Sequence, residues 1–326
     1  MKLASLRHGG RDGQLIVVDT MLSRAVAVSA IAPTLQRALE EWALIAPQLA
    51  DVSAALAAGH CADSFPLVIA ELASPLPRSH QFLDGSVYLH HMIKARAARG
   101  AAMPANHLTE PLMYQGVSDR FIGPQESMRL PDDDLEIDFE GEIAVIVDDV
   151  PLGVSVAEAG AHIKLVMLLN DFTARALTRS ELPKGFGFLQ SKPTSSFSPA
   201  AVTPDELGAA WDGGKLALPL LSAVNGRRIG QPNAGVDMFF SYPQLIAHAA
   251  RTRTLTAGTI IGGGAVSNQD PASGHGCIAE ARMHELDAYG APRTSWLRFG
   301  DRVQIDMLDG AGRTIFGAID QAIVAA

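Results

Sequence analysis

Cysteine is nearly absent: the 326 residues hold two, Cys61 and Cys277, far apart and without CxxC spacing. They supply neither a disulfide framework nor a zinc site, and they fit a reducing compartment. Clustered positive charge is missing too. The formal charge is −9 with no block of Lys or Arg, which argues against nucleic acid or an anionic membrane as partner. An anionic substrate would therefore need a locally positive pocket. No run approaches the ~20 apolar residues of a membrane span. At the N-terminus, Arg7 and His8 interrupt M-K-L-A-S-L before it reaches signal-peptide length. Several common signatures are lacking as well. There is no HExxH and no G-x-S-x-G. Gly262–Gly264 lack the Gly-Lys-Ser/Thr of a phosphate loop, and G-F-G-F at 185–188 lacks the third glycine of a dinucleotide fingerprint. The expectation is a soluble, cytoplasmic protein.

What is present is material for a large core. Hydrophobic residues make up 48% and charged residues 19%, the balance of a globular chain long enough for one large domain or two unequal ones. Arg11-Asp12-Gly13 is turn chemistry ahead of a short strand over Gln14–Val18, and a second strand is expected over Ala25–Ser29. Pro33 opens a helical pattern through Leu35, Leu39 and Trp42, which Pro47 is expected to break before another helix runs to about Gly59. S-P-L-P-R at 74–78 reads as a linker, dividing a small N-terminal domain (1–73) from a larger one (74–326). Beyond it, Ser155 and Glu158 form a capping box for a helix over Val156–Ile163. Leu165–Leu169 is a buried apolar run ending at Asn170-Asp171. Leu216–Val224 reads as a strand closed by an Asn225-Gly226 turn, Pro243–Ala250 as a helix, and Val303, Ile305 and Met307 alternate as in a half-buried strand. No repeat is visible, and the class is strand-rich α+β.

One strand carries an anomaly. In D-F-E-G-E-I-A-V-I-V (138–147), Glu140 and Glu142 point to one face with Ala144 and Ile146, while Ile143, Val145 and Val147 point to the other. Two like charges on a partly buried strand need a positive partner, such as a divalent cation held by oxygen ligands, or a strand end open to water. Other carboxylates bear on that choice. Asp171 ends an apolar run and reads either as a crevice ligand or as the N-cap of T-A-R-A-L; Asp84, in F-L-D-G-S, is a ligand or a turn residue. His91 lies in a helical stretch, L-H-H-M-I-K-A-R, and is a surface histidine or a base. Glu280, in G-C-I-A-E-A-R, sits where a charge is unexpected and would suit the partner of such a histidine. Lys192, in a serine- and proline-rich loop, is a solvated lysine or a site cation.

Taken in order, these segments resemble the fumarylacetoacetate hydrolase family, from about residue 74 to the C-terminus. E-G-E matches the family's metal strand, N-D-F-T-A-R its N-D-x-[ST]-x-R motif, and Lys192 ahead of S-S-F-S-P its lysine. Asp84 stands seven residues before His91, a spacing seen in the fumarylacetoacetase branch, whereas Lys94 replaces the glutamate of the smaller branch's His-x-x-Glu pair. The resemblance implies a fumarylacetoacetase-like fold: a mixed β-roll or barrel core with flanking helices, behind a shortened N-terminal β-containing domain. It implies Asp84, Glu140, Glu142 and Asp171 as ligands of Mg²⁺, Ca²⁺ or Mn²⁺, and His91 with Glu280 as a water-activating dyad. Lys192 is then catalytic, Arg175 and Tyr114 contact substrate, and the enzyme is a homodimer. Two positions depart from the pattern: Ala265 follows Gly264 where the family has Gly-Thr, and Thr178 stands in place of a glutamine.

The activity so implied is metal-dependent hydrolysis of a carbon–carbon bond in a 1,3-diketo acid, foremost 4-fumarylacetoacetate to fumarate and acetoacetate in tyrosine catabolism. Competing readings are an acylpyruvate hydrolase, a 2-oxo acid decarboxylase or hydratase of the same fold, and a non-catalytic metal- or ligand-binding relative.

Overall fold

The strand that carries the paired glutamates divides the hydrophobic core in two. The computed structural model describes residues 1–98 and 100–326. Ile143, Val145 and Val147 enter one apolar cluster and Ala144 and Ile146 another, with Val166 and Leu168 facing the first and Leu165, Met167 and Leu169 the second. This is the period-two alternation of a strand buried on both faces. The sheet concerned has eleven strands among the described residues. Ten of them run from Phe65–Pro66 through Arg24–Ala27, Gln14–Val18, Lys2–Leu6 and Ala201–Val202 to Ile163–Asn170, Gly141–Val147, Ile260–Gly262, Phe82–Gly85 and Met113–Gln115, and the eleventh, Ser196–Phe197, pairs with Ile163–Asn170 off this path. Helices Leu35–Glu40 and Trp42–Ala57 cover one face through Leu35, Leu39, Ile45 and Leu49. A five-stranded sheet covers the other through Leu220, Val303, Ile305, Met307 and Ile319.

The long sheet stays open among the described residues. Its edge strands, Phe65–Pro66 and Met113–Gln115, do not pair with one another, so the barrel part of the expected core is replaced by two layered sheets. The fold is strand-rich α+β as expected. The proline-rich segment behaves differently from a solvent-exposed linker: Ser74, Pro75, Leu76 and Pro77 are buried, and Ser5 Oγ donates to the Pro75 carbonyl at 2.7 Å. Strand Lys2–Leu6 also pairs with Ala201–Val202, so hydrogen bonding crosses residue 74 without a break.

Local chemistry explains most elements. The Ser155–Glu158 capping box forms, but its helix ends at Ala159, and Ile163 already belongs to the next strand. Asn225 and Gly226 take φ of 51° and 75°, the left-handed pair that a tight hairpin requires. Pro47 lies inside helix Trp42–Ala57, and the break falls at Glu41 instead. Proline there forfeits one backbone hydrogen bond, which burial of Ile45 and Leu49 against the sheet outweighs. Among the described residues, no helix is long and apolar enough to cross a membrane.

Candidate active site

Asp84, Glu142 and Asp171 meet across four adjacent strands, with Ile260–Gly262 lying between the strands of Glu142 and Asp84. Leu169 pairs with Glu142 in antiparallel register, and Gly262 pairs on one side with Ala144 and on the other with Asp84. Oxygen atoms of Asp84, Glu142 and Asp171 lie within 4.8 Å of one another, and all three residues are buried. Glycine at 262 creates the space: a Cβ there would stand 2.3 Å from Asp84 Oδ1. Gly264, at φ +84°, turns its N–H inward to donate to Asp84 Oδ1 at 3.2 Å and Glu142 Oε2 at 3.0 Å. The glycine run that matches no phosphate loop thus shapes an acidic pocket.

Glu140 takes a different position from the other three. Its carboxylate is held by Lys192 Nζ at 2.7 Å and by the Arg175 guanidinium, outside the tight cluster of the other three oxygens. Burial pushes its pKa up, but the charges of Lys192 and Arg175 more than offset that and bring it to about 2. Lys192 also donates to Asp171 Oδ2 at 2.5 Å, and its ammonium lies 5.6 Å from the Tyr114 ring centre and 5.9 Å from that of Phe188. The solvated-lysine reading is therefore replaced by a buried one. Tyr114 stands opposite Asp84 across the strand pair and donates its hydroxyl to Asp171. Asp171 is no helix cap, since the following helix starts at Arg175 with Ala174 before it.

The cluster is short of positive charge. Among the described residues, the lysine and arginine paired with the group Asp84, Asp138, Glu140, Glu142 and Asp171 are Lys192 and Arg175, two cations for five carboxylates. Burial, then the charge of Asp171, pushes Asp84 up to about 8; burial, then Asp84, pushes Glu142 well above the carboxylate range. Glu142 Oε1 is buried without a hydrogen-bond partner among the described residues. An orphaned acceptor amid oxygen donors fits a hard divalent cation, whereas zinc would favour nitrogen or sulfur.

His91 and Glu280 come from two helices packed together, Leu89–Ala97 and Ile278–Tyr289. Lys94 ties them by pairing with Asp287 at 2.7 Å. His91 Nδ1 stands 3.5 Å from Glu280 Oε2, and neither atom has a hydrogen-bond partner among the described residues. That separation is longer than a made hydrogen bond, a common state of a catalytic pair before substrate tightens it. Burial lowers the His91 pKa, but the neighbouring Glu280 carboxylate more than reverses this, leaving it above the ordinary value. The other Glu280 oxygen accepts from Ser267. A cavity of about 700 Å³ opens beside the dyad, lined by His91, Arg175, Thr178 and Phe188 among others. Thr178 turns its hydroxyl to the Arg175 carbonyl at 2.7 Å, and Ala265 is buried.

Two positioning residues escaped the sequence reading. Asp138 accepts from Arg175 Nε at 2.9 Å and from the Ile278 and Ala279 N–H groups at 2.7 and 3.0 Å, so it orients the arginine and caps the helix that carries Glu280. Its signal was the same alternation, since D-x-E-x-E places 138 in phase with 140 and 142. Ser195 donates to Asp171 Oδ1 at 2.7 Å and had no signal beyond its serine-rich surroundings.

Residues 81–324 match the family model of the fumarylacetoacetate (FAA) hydrolase C-terminal domain, and residues 1–78 match that of fumarylacetoacetase N-terminal domain 2. The chain belongs to the fumarylacetoacetate hydrolase family, an enzyme superfamily that includes hydrolases, isomerases and tautomerases. A 2,4-didehydro-3-deoxy-L-rhamnonate hydrolase of Sphingomonas sp. (strain SKA58) is 26% identical over 209 residues, covering 60% of this chain and 69% of that one. A mitochondrial oxaloacetate tautomerase of Homo sapiens is 28% identical over 156 residues, 47% of each chain. Among solved structures, maleylpyruvate hydrolase from Sphingobium sp. SYK-6, in complex with manganese(II) and pyruvate, superposes with a TM-score of 0.65 at 18% identity over the full length of both chains.

Proposed function

We propose that this enzyme hydrolyses a carbon–carbon bond in a 1,3-diketo acid, with fumarylacetoacetate and acylpyruvates as the substrates to try first. The observation that carries this reading is the His91–Glu280 pair, whose His91 lines the same cavity as Arg175, the arginine that holds Glu140 of the acidic group. A divalent cation, Mg²⁺, Mn²⁺ or Ca²⁺, would be held by Asp84, Glu142 and Asp171, with Glu140 adjoining. Bound there, it supplies Lewis-acid polarisation of the diketone oxygens. That the maleylpyruvate hydrolase of like fold was crystallised in complex with manganese(II) and pyruvate supports a divalent ion and a 2-oxo acid as ligands to test.

The protein's own groups carry the proton movements. His91 takes a proton from water, and Glu280 holds the resulting imidazolium in place. The hydroxyl adds to the acyl carbonyl, whose oxygen gains the negative charge that Lys192 and Arg175 are positioned to stabilise. Collapse of the tetrahedral adduct breaks the carbon–carbon bond and leaves one carboxylic acid and one enolate. Charged His91 returns its proton to the enolate carbon, which closes the balance. A homodimer in the cytoplasm completes the proposal.

A second reading draws on the tautomerase relative: the same dyad can move a proton on a 2-oxo acid without adding water. A panel of diketo acids and oxaloacetate, assayed with Mg²⁺ and again with EDTA, separates the two. Release of two carboxylic acids supports hydrolysis. Enol–keto interconversion of oxaloacetate without cleavage of any diketo acid overturns it.

A further inference from the structure

Glu280 faces two histidines as well as His91. It lies one turn before His284 on helix Ile278–Tyr289, and His90 approaches from helix Leu89–Ala97. One ligand atom from each of His90, Glu280 and His284 falls within 4.8 Å of the others, with His284 Nε2 3.9 Å from Glu280 Oε1. The His90 and His284 rings are centred 5.7 Å apart. The Nε2 atoms of both histidines are buried and have no hydrogen-bond partner among the described residues. Buried imidazole nitrogens normally find a donor or acceptor, so two orphans converging on one carboxylate are an anomaly.

An ion would resolve it. Two imidazoles and a carboxylate form a donor set for Zn²⁺ and neighbouring transition ions, unlike the all-oxygen cluster of Asp84, Glu142 and Asp171. An entry path exists, because His284 and His275 also line a separate cavity of about 840 Å³ on the side of the helix away from Arg175. The Ser267 hydroxyl donates to Glu280 Oε1, the oxygen nearest His284, and so orients the carboxylate as an outer-shell partner does.

We propose that His90, Glu280 and His284 form a second metal site, selective for borderline transition ions, whose occupation draws Glu280 away from His91 and arrests turnover. Binding follows from these three residues alone. The arrest rests on the His91–Glu280 reading above.

The test uses the full-length enzyme with its acidic cluster kept filled by excess Mg²⁺. Zn²⁺ is titrated by calorimetry, and Co²⁺ is followed by its ligand-field spectrum. Wild type is expected to bind one ion per chain. His284→Gln and His90→Gln should each weaken binding by about tenfold or more, the least expected when a ligand is lost. Asp84→Asn should leave Zn²⁺ affinity unchanged. Inhibition by Zn²⁺ should weaken in the two histidine variants by the same factor as binding. No binding above the Mg²⁺ background overturns the site, as does binding that survives both histidine variants. Loss on Cys277→Ser alone also overturns it, by shifting the ion to His91, Cys277 and Glu280. Tight binding with undiminished turnover overturns the arrest and counts against the dyad, while the site itself stands.

Discussion

Asp84 and Gly262 stand opposite each other in parallel register, and the missing side chain of Gly262 is the space that Asp84 Oδ1 occupies. Alanine at 262 would place its Cβ 2.3 Å from that oxygen, with backbone on either side fixed by strand pairing. The carboxylate has to swing away. Gly262→Ala is expected to weaken divalent-cation affinity by about tenfold or more and to destabilise the fold by about 1–3 kcal/mol through overpacking. Calorimetric titration with Mn²⁺ and a denaturant melt read the two effects. Unchanged affinity would mean that Asp84 is not a ligand.

The acidic cluster predicts how stability responds to pH. Asp84 is pushed up to about 8 and Glu142 well above its ordinary value, so the fold favours their protonated forms. Stability from such groups is complete below their unfolded pKa values and is lost as pH rises through the folded ones. Glu140, drawn down to about 2, works in the opposite sense, but its contribution is lost only as pH falls below about 4.5. Without divalent ions, the melting temperature should fall from about pH 5 to about pH 8. Added Mg²⁺ or Mn²⁺ should raise it, and by more at the alkaline end. A cation effect that shrinks with pH would contradict the assignment.

Glu280→Gln removes the carboxylate that holds the His91 pKa above its usual value against the opposing effect of burial. A neutral imidazole is the working base, so the acid limb of kcat/KM in the wild type should lie above the ordinary histidine range. In the variant this limb should move to lower pH while the maximal rate falls. The pH–rate profile checks both. An unmoved acid limb would separate Glu280 from the base.

Much of this was legible because strand alternation is strict. Glu140 and Glu142 against Ile143, Val145 and Val147 announced a two-faced strand, and the two apolar clusters fall on those faces. Asn225-Gly226 and Ser155–Glu158 were equally direct, since each is a local rule between near neighbours. Long-range effects were not readable. Pro47 sits within a helix because the sheet beneath takes up Ile45 and Leu49, and no local signal reports that burial. Nor does sequence report that Glu140 is claimed by Lys192 and Arg175 while Asp84, Glu142 and Asp171 close on one another. That division depends on which side chains reach across the strand ends. The role of Gly262–Gly264 was hidden for the same reason, because it appears only once Asp84 stands beside them.

The most direct measurement compares His91→Ala with wild type, using hydrolysis of a diketo acid and Mn²⁺ binding side by side. Loss of a general base should cut turnover by about 100- to 10,000-fold, while Mn²⁺ affinity stays the same because His91 is not a ligand of the acidic cluster. Wild-type turnover in the variant, with two carboxylic acids still released, would contradict the account.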